Sequence, residues 1–438
     1  MILIRFGQSY FIGQESYYGL KWLLLGEWLN QGFKMYSQTF DYTGPIAVFF
    51  YKYLNLIFGR SEFIHYGVSS LVIIFQAGIF NHLLLKNKAY DENGYLPAFL
   101  YIILMVSVPD FMTLSPQLLS LTFVLLALRN VLRRIDNQVT DELFLNSGIF
   151  IGVATMIYLP AVVFFLVFLF SLILFSSAVA RRLLLYLFSF LLVFTLCALY
   201  FYWRGDFWIF VESYVSQNLL LAVEAPLSGL EVLALVSPFV LILVLSVFKT
   251  WTSGRPTNFQ QKIQQVIWLM LFGAVATFFL SNEKSMHELV FGVPPIAYFW
   301  THYFMLLKRK IFRFIMPGLL IFGLVAYSCF SYLNLAKPMQ VEKEGVENSS
   351  TMILGSNLAY YVDRKILTPC FNEHLSQRAF EGLDYYITAG ELYKLIERAN
   401  PELILDEMKI MPEIRERFPE LANKYRHQGG NSYRKISN

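Results

Sequence analysis

The chain has 438 residues, of which 56% are hydrophobic, 17% are aromatic and only 15% are charged. Soluble proteins carry about a quarter charged residues, so this composition excludes an ordinary soluble enzyme and indicates a protein with many membrane spans. The formal net charge of +4 is small and the basic residues are spread over short loops, so we expect no nucleic-acid partner. Three cysteines predict neither a disulfide framework nor a metal cluster.

Residues 1–62 precede the first strong apolar run and are predicted to form a loop with amphipathic helices. The start, MILIRFGQSYFIG, is too short and too polar for a signal peptide. Three interpretations stay open: an N-terminal tail translocated without help, a span formed by residues 44–58, or an upstream helix that precedes this sequence.

Residues 63–333 are predicted to form a transmembrane helical domain, because apolar runs near the ~20 residues of one bilayer crossing recur there. About ten spans are predicted, at 63–86, 95–109, 113–131, 147–158, 160–177, 183–203, 229–248, 263–280, 287–306 and 311–333. The runs on either side of Pro160 are also consistent with one kinked helix.

The loops between these runs predict the orientation of the chain. Alternate loops hold fourteen Lys and Arg, whereas the opposite set holds only Arg60, Arg204 and Lys284. By the positive-inside rule the first set is cytoplasmic, which places residues 1–62 and the C-terminal tail outside. The alternation breaks at Arg181 and Arg182 if 147–177 is a single span, so two spans are favoured. The pattern predicts the inner (cytoplasmic) membrane of a bacterium, although an internal eukaryotic membrane shares it.

The tail after the last span is predicted to be a linker, 334–350, followed by a small extracytoplasmic α/β domain, 351–438. Apolar strands are expected at 351–356 and 402–406, each followed by a helical stretch, near 376–398 and 409–425. The predicted fold class is therefore mainly α: a polytopic helical bundle with a small C-terminal α/β domain. We expect a tail of this length to pack onto the membrane part.

Residues 13–71 resemble the first outer loop of the GT-C glycosyltransferases. In this family an acidic pair near a Tyr leads into a helix that ends near a Gly, and an Asp-x-x-x-Pro turn, an amphipathic helix ending in Phe-Gly and a span follow. The sequence has this order, in Glu15, Tyr18, Gly32, Tyr36, Asp41, Pro45 and Phe58-Gly59. The resemblance implies a polytopic enzyme that moves a sugar from a polyprenyl-phosphate carrier to an acceptor on the outer side of the membrane.

One position departs from the family pattern. The family has an Asp directly before the Glu, as the expected catalytic base, and this sequence has Gln14 there. A carboxamide neither takes a proton from a hydroxyl nor binds a divalent metal as a carboxylate does. Glu15 is therefore the first candidate for the catalytic acid–base residue and Asp41 the second. The alternatives are a solvated Glu15 on an interfacial helix and an Asp41 that caps the turn before Gly44.

The candidate substrate-binding residues are Tyr18, Tyr36, Arg204, Lys284, His287 and Glu288. Arg204 follows an aromatic belt and is a candidate headgroup ligand or an interfacial anchor. Ionisable residues at the mouth of a span are functional candidates, but Glu283, Lys284 and Glu288 could also pair with one another. No metal site is predicted from the isolated histidines, and a divalent metal is a possible cofactor only through the family resemblance.

Two functions stay open at the level of the sequence. The first is a GT-C-like membrane glycosyltransferase whose partners are membrane lipid and a lipid-linked sugar donor. The second is a catalytically silent relative that acts as a scaffold or accessory subunit with protein partners of the cell envelope. Gln14 favours the second, and the order of the motif favours the first.

Overall fold

The computed structural model describes residues 17–135, 140–175, 179–220, 229–253, 256–307, 350–355, 357–362, 364–381 and 386–436, with the single positions 318, 323 and 326. This part of the chain is mainly helical and carries one small sheet. The longer helices up to residue 305 are α1 (Tyr17–Asn30), α2 (Pro45–Phe58), α3 (Glu62–Lys86), α4 (Leu96–Ser107), α5 (Pro116–Ile135), α6 (Asp141–Ile157), α7 (Val163–Phe175), α8 (Ala180–Trp203), α9 (Gly229–Ser253), α10 (Asn258–Leu280) and α11 (Val293–Met305).

Three helices in the described ranges, α3, α8 and α10, are long and apolar enough to cross a membrane. Shorter apolar helices accompany them at Pro45–Phe58, Leu96–Ser107, Leu159–Phe175 and Val236–Thr250. Most of the predicted span 311–333 lies outside the described residues. The count of ten spans therefore stays a prediction, while the helical membrane bundle itself is confirmed.

The segment around Pro160 is a turn between two helices. The Arg182 Nε atom lies 2.8 Å from Asp141 Oδ1, so the first residues of α6 and α8 lie at the same end of the bundle. A Cβ on Gly148 would touch Ser189, and a Cβ on Gly152 would touch Val193 one turn later, so α6 and α8 run parallel. Because parallel neighbours need a return connection, α7 carries the chain back, and the two runs flanking Pro160 form two helices rather than one kinked helix.

The loops sort to two ends of the bundle. At one end, Thr113 lies 3.2 Å from His287, and Gln117 and Tyr158 both bond to Glu288. At the other end, Gln260 reaches the loop after α3 and Tyr90 packs on His302. We call the first end the polar end, because it holds the buried charged groups described below.

The C-terminal region contains a four-stranded sheet in the order β1-β2-β4-β3, formed by Thr351–Leu354, Leu403–Asp406, Ser432–Lys435 and Tyr425–Gly429. β1 pairs in parallel with β2, as expected for a strand–helix–strand crossover, and the pattern-based positions of both strands agree with the structure. The described helices Glu373–Glu381 and Tyr386–Ala399 lie in and beside the expected helical stretch 376–398, and the expected helix 409–425 is divided into Met411–Arg417 and Pro419–Lys424. The β3–β4 hairpin is not predicted from the sequence.

The C-terminal region packs onto α1 and the loop after it. Arg60 pairs with Glu27 at 3.5 Å and donates to the carbonyl groups of Tyr361, Val362 and Arg364. The backbone of Phe40 donates to Pro369 at 2.8 Å. These contacts agree with the expectation that the tail packs onto the membrane part.

Candidate functional site

The acidic turn between α1 and α2 is fixed against the bundle by its backbone. A Cβ on Gly44 would overlap the carbonyl groups of Met156 and Ile157, so only glycine allows this close approach. Pro45 then starts α2 at a position where its missing N–H costs no hydrogen bond. The Tyr36 hydroxyl donates to the Thr43 carbonyl at 2.8 Å from the other side of the loop. Asp41 is thereby held at the polar end, at the ends of α5, α6 and α10.

The centre of the site is a lysine that bridges two carboxylates. Lys21 Nζ, on α1, lies 3.0 Å from Asp41 Oδ1 and 3.3 Å from Glu283 Oε1. All three residues are buried, Asp41 completely. The Thr43 hydroxyl donates to the second Asp41 oxygen and the Tyr42 hydroxyl donates to Glu283, each at 2.5 Å. The ammonium group and these hydroxyls thus give both buried side chains polar partners.

A third carboxyl group, that of Glu288, lies beside this bridge in the short turn Met286–Gly292 between α10 and α11. Its side chain accepts hydrogen bonds from Gln117 Nε2 at 2.7 Å and from the Tyr158 hydroxyl. Burial raises the pKa of Glu288 to about 8, with a further increase from the nearby Glu283 charge. Glu288 is therefore largely protonated at neutral pH.

His287 is the neighbour of Glu288 and packs into the same region. Its Nδ1 atom lies 3.2 Å from the Thr113 hydroxyl, and its ring lies edge-on to Trp22, at 5.3 Å between ring centroids. Trp22 follows Lys21 on α1, so α1 contributes to both parts of the site. We call Lys21, Asp41, Glu283, His287 and Glu288 the acidic cluster.

The acidic cluster does not fit a divalent metal. Asp41 Oδ1 and Glu283 Oε1, the two oxygens that converge, both face the Lys21 ammonium group, which lies where a shared cation would bind. The described residues contain no group of three or more His, Cys, Asp or Glu side chains arranged to hold a metal ion. Lys21 thus supplies the positive charge of the cluster.

The other predicted residues lie apart from this bridge. Lys284 caps the end of α10 by donating to the carbonyl groups of Phe278, Phe279 and Ser281, and the described ion pairs do not include the alternative pairing with Glu283 and Glu288. Tyr36 is buried among Phe201, Phe210 and Tyr214 and reaches the cluster only through Thr43. Arg204 bonds to the Tyr200 hydroxyl at 2.9 Å, at the end of α8.

Two predicted residues cannot be placed in the site. Glu15, with Gln14, lies outside the described residues. Tyr18 belongs to the first turn of α1. Their assignments as catalytic and substrate-binding residues stay predictions.

An apolar groove opens beside the turn that carries Glu288. It has a volume of about 220 Å³ and lies between α4, α9, α10 and α11. Met286, Leu289 and Gly292 of the turn form one wall, and the rest of the lining, Leu104, Val108, Phe111, Val236, Phe239, Val240, Leu243, Leu271, Ala274, Val275, Val293 and Ile296, is also apolar. A polar cluster and an apolar groove therefore share the Met286–Gly292 turn.

No protein-family model and no curated protein matches this sequence. Among solved structures, ArnT from Cupriavidus metallidurans bound to undecaprenyl phosphate is similar with a TM-score of 0.53 and 11% sequence identity, over 96% of this chain and 94% of that chain. The oligosaccharyltransferase AglB from Archaeoglobus fulgidus, in complex with an inhibitory peptide and a dolichol-phosphate, gives a TM-score of 0.47 and 12% identity, over 96% of this chain and 70% of that chain.

ArnT is a GT-C-fold glycosyltransferase, and its similarity extends over nearly the whole length of both chains. At 11% identity this similarity establishes the fold and not the reaction. The chain therefore has the GT-C membrane fold that its first residues resemble.

Proposed function

We propose that this protein is a membrane glycosyltransferase of the GT-C fold that moves a sugar from a polyprenyl-phosphate donor to an acceptor on the outer face of a bacterial inner membrane. The observation that carries the proposal is the buried acidic cluster. A buried ion pair of this kind adds little to stability, because desolvation cancels most of its attraction, and apolar residues of similar volume often serve as well. Because burying these charged groups is unfavourable for folding, they are candidates for a catalytic or binding role.

The groove beside the cluster supports a lipid-borne donor. Its wholly apolar lining matches an isoprenoid tail, and it starts at the turn that carries Glu288. Seated there, a polyprenyl chain would bring its phosphate and sugar to the polar end. The solved structure of ArnT, which shares the fold, contains undecaprenyl phosphate.

The carboxylates differ in what they can do for an acceptor hydroxyl. Asp41 is fully buried and held by Lys21 and Thr43, so it acts as a positioning residue. Glu283 retains about 10% exposure of its side chain and is the described carboxylate best placed to accept a proton. Glu15 is the further candidate base from the sequence. Lys21 lies between the convergent oxygens of Asp41 and Glu283, so these two carboxylates do not share a metal ion in this scheme.

The position of Lys21 also favours a second function, that of a catalytically silent accessory protein. An internal cation that bridges Asp41 and Glu283 leaves both charges satisfied without any substrate, which suits a catalytically silent relative. In that case the fold would bind a lipid carrier or envelope proteins without transferring sugar, and Gln14 agrees with this alternative.

The experiment is transfer of a radiolabelled sugar from a panel of polyprenyl-phosphate donors in vesicles that contain the full-length protein. The variants are Glu15→Gln, Glu283→Gln and Asp41→Asn, with the exposed Lys262→Gln as control. Loss of a general base lowers the rate by about 10² to 10⁴. We expect a loss in that range for Glu283→Gln or Glu15→Gln, and no change for the control.

Transfer that continues with Glu15, Glu283 and Asp41 all neutralised would refute the catalytic proposal. No transfer by the wild type with any donor, together with co-purification of a stable partner complex, would establish the accessory function. A wild-type protein that neither transfers sugar nor retains a partner would contradict both.

A further inference from the structure

A second pocket lies at the rim of the bundle, beside α2. Its volume is about 110 Å³, and it is lined by the loop after α1, by α2 and by the end of α8. Three of its lining side chains are the cations Lys34, Lys52 and Arg204, and only Asp206 is acidic. We call this the rim pocket.

The rim pocket has an excess of positive charge that its own contacts do not remove. Lys34 pairs with Asp206 at 3.2 Å, which leaves Lys52 and Arg204 as the excess among the lining residues. Arg204 donates a hydrogen bond to the neutral hydroxyl of Tyr200, which leaves its positive charge in place. A further cation, Arg398, donates to the carbonyl of Gly32 and stacks over Phe33, both of which line the pocket.

The position of the pocket places it at a membrane surface. Arg204 directly follows α8, one of the helices long and apolar enough to cross a membrane. The last residues of α8 and the helix after it expose aromatic rings, with Tyr202 72%, Trp203 92% and Trp208 78% exposed. Exposed Trp and Tyr at a helix end mark the depth of lipid headgroups.

We propose that the rim pocket binds a phosphate group and that the headgroup of an anionic membrane lipid supplies it. Arg204 and Lys52 are donors suited to phosphate oxygens, and Phe49, Tyr200 and Phe201 form the apolar wall beside them. The pocket is distinct from the acidic cluster, since Tyr36 and Thr43 lie between the two. The proposal does not depend on transfer activity at the cluster.

The test measures binding of three soluble probes to the purified full-length protein by calorimetry. The probes are dioctanoyl phosphatidylglycerol, the zwitterionic dioctanoyl phosphatidylcholine and inorganic phosphate. We expect phosphatidylglycerol to bind about tenfold more tightly than phosphatidylcholine, and the Lys52→Gln/Arg204→Gln variant to weaken phosphatidylglycerol by about tenfold or more. Lys262→Gln, which removes an exposed cation at the opposite end of the bundle, leaves both affinities unchanged.

Asp206→Asn supplies a test in the opposite direction, because it removes the only acidic lining side chain and should tighten binding of phosphatidylglycerol. Binding of the lipid without binding of inorganic phosphate identifies the headgroup as the source. Inorganic phosphate binding that is equally tight and equally sensitive to the double variant also supports a phosphate site, with a soluble ligand. Equal affinities for the two lipids, or a double variant that binds phosphatidylglycerol like the wild type, would overturn the proposal.

Discussion

Lys21 holds the acidic cluster together, and its role is the hardest of the cluster residues to predict from the sequence. It stands in the apolar helix YYGLKWLLLGEWLN, where a lysine is usually a solvated or snorkelling side chain. Its partner Glu283 is 262 residues away, so no local spacing connects them. Asp41 and Glu288 were predictable, since each stands in a polar motif beside an apolar run. A lone lysine within an apolar helix was the only available signal for Lys21.

The ion bridge leads to a prediction about stability. Lys21→Met leaves Asp41 and Glu283 buried without their cation, so we expect the free energy of unfolding to fall by about 3 to 5 kcal/mol. Thermal denaturation in detergent measures the effect. Lys34→Met, which breaks the exposed pair with Asp206, should cost less than about 1 kcal/mol.

A rescue variant completes this test. Adding Asp41→Asn and Glu283→Gln to Lys21→Met removes the unpaired charges and should restore most of the lost stability. If Lys21→Met lowers the free energy of unfolding no more than Lys34→Met does, the Lys21 bridge does not stabilise the fold.

Glu288 predicts a pH dependence of stability. Its pKa is near 4.5 in the unfolded chain and about 8 in the folded one, so the folded state binds the extra proton between these values. The contribution of Glu288 is fully present below about pH 4.5 and is lost as the pH rises through about 8. We expect the melting temperature of the wild type to fall across this window and that of Glu288→Gln to fall less. Parallel curves for the two proteins would disagree with a buried, protonated Glu288.

At the scale of elements, periodicity and turn residues predicted most helices to within a few residues. The predicted span 287–306 is an instructive difference, because its helix begins only at Val293 and the preceding residues form the turn that carries Glu288. The predicted helix 409–425 ends at the residue where β3 begins, and no structure was predicted for the residues after it. β3 has the sequence YRHQG, whose side chains after Tyr425 are exposed, so it lacks the apolar alternation of a strand. Gly429-Gly430, both with positive φ, was the available hairpin signal.

The close packing of the acidic turn on α6 predicts a strong effect of one methyl group. Gly44→Ala would push the turn away from the carbonyl groups of Met156 and Ile157, which are backbone atoms and cannot move aside alone. Overpacking of this kind costs about 1 to 3 kcal/mol, measured as a lower melting temperature in detergent. Gly67→Ala, on α3 with open space around it, is the matched control and should not destabilise the protein. Equal melting temperatures for the two variants would contradict this packing.

At the scale of the molecule, composition alone predicted a membrane bundle, and the order of motifs in the first sixty residues predicted its fold. The sequence did not predict that the N-terminal loop, the Met286–Gly292 turn and the C-terminal sheet meet at one end of the bundle. Arg60 binds the C-terminal region through backbone carbonyl groups. Every residue has such a group, so the sequence does not show which ones Arg60 contacts. The apolar groove likewise draws its lining from α4, α9, α10 and α11, far apart along the chain.

The central proposal is that a polyprenyl-phosphate donor binds with its tail in the apolar groove and its phosphate and sugar at the polar end. The most direct measurement is photo-crosslinking of the full-length protein with a polyprenyl phosphate that carries a photoreactive group in the first isoprene unit, followed by peptide mapping. We expect labelling within residues 283–296, competed by unlabelled polyprenyl phosphate and reduced when Gly292→Trp fills the groove. Labelling that is confined to other segments, or that Gly292→Trp and the competitor leave unchanged, would contradict it.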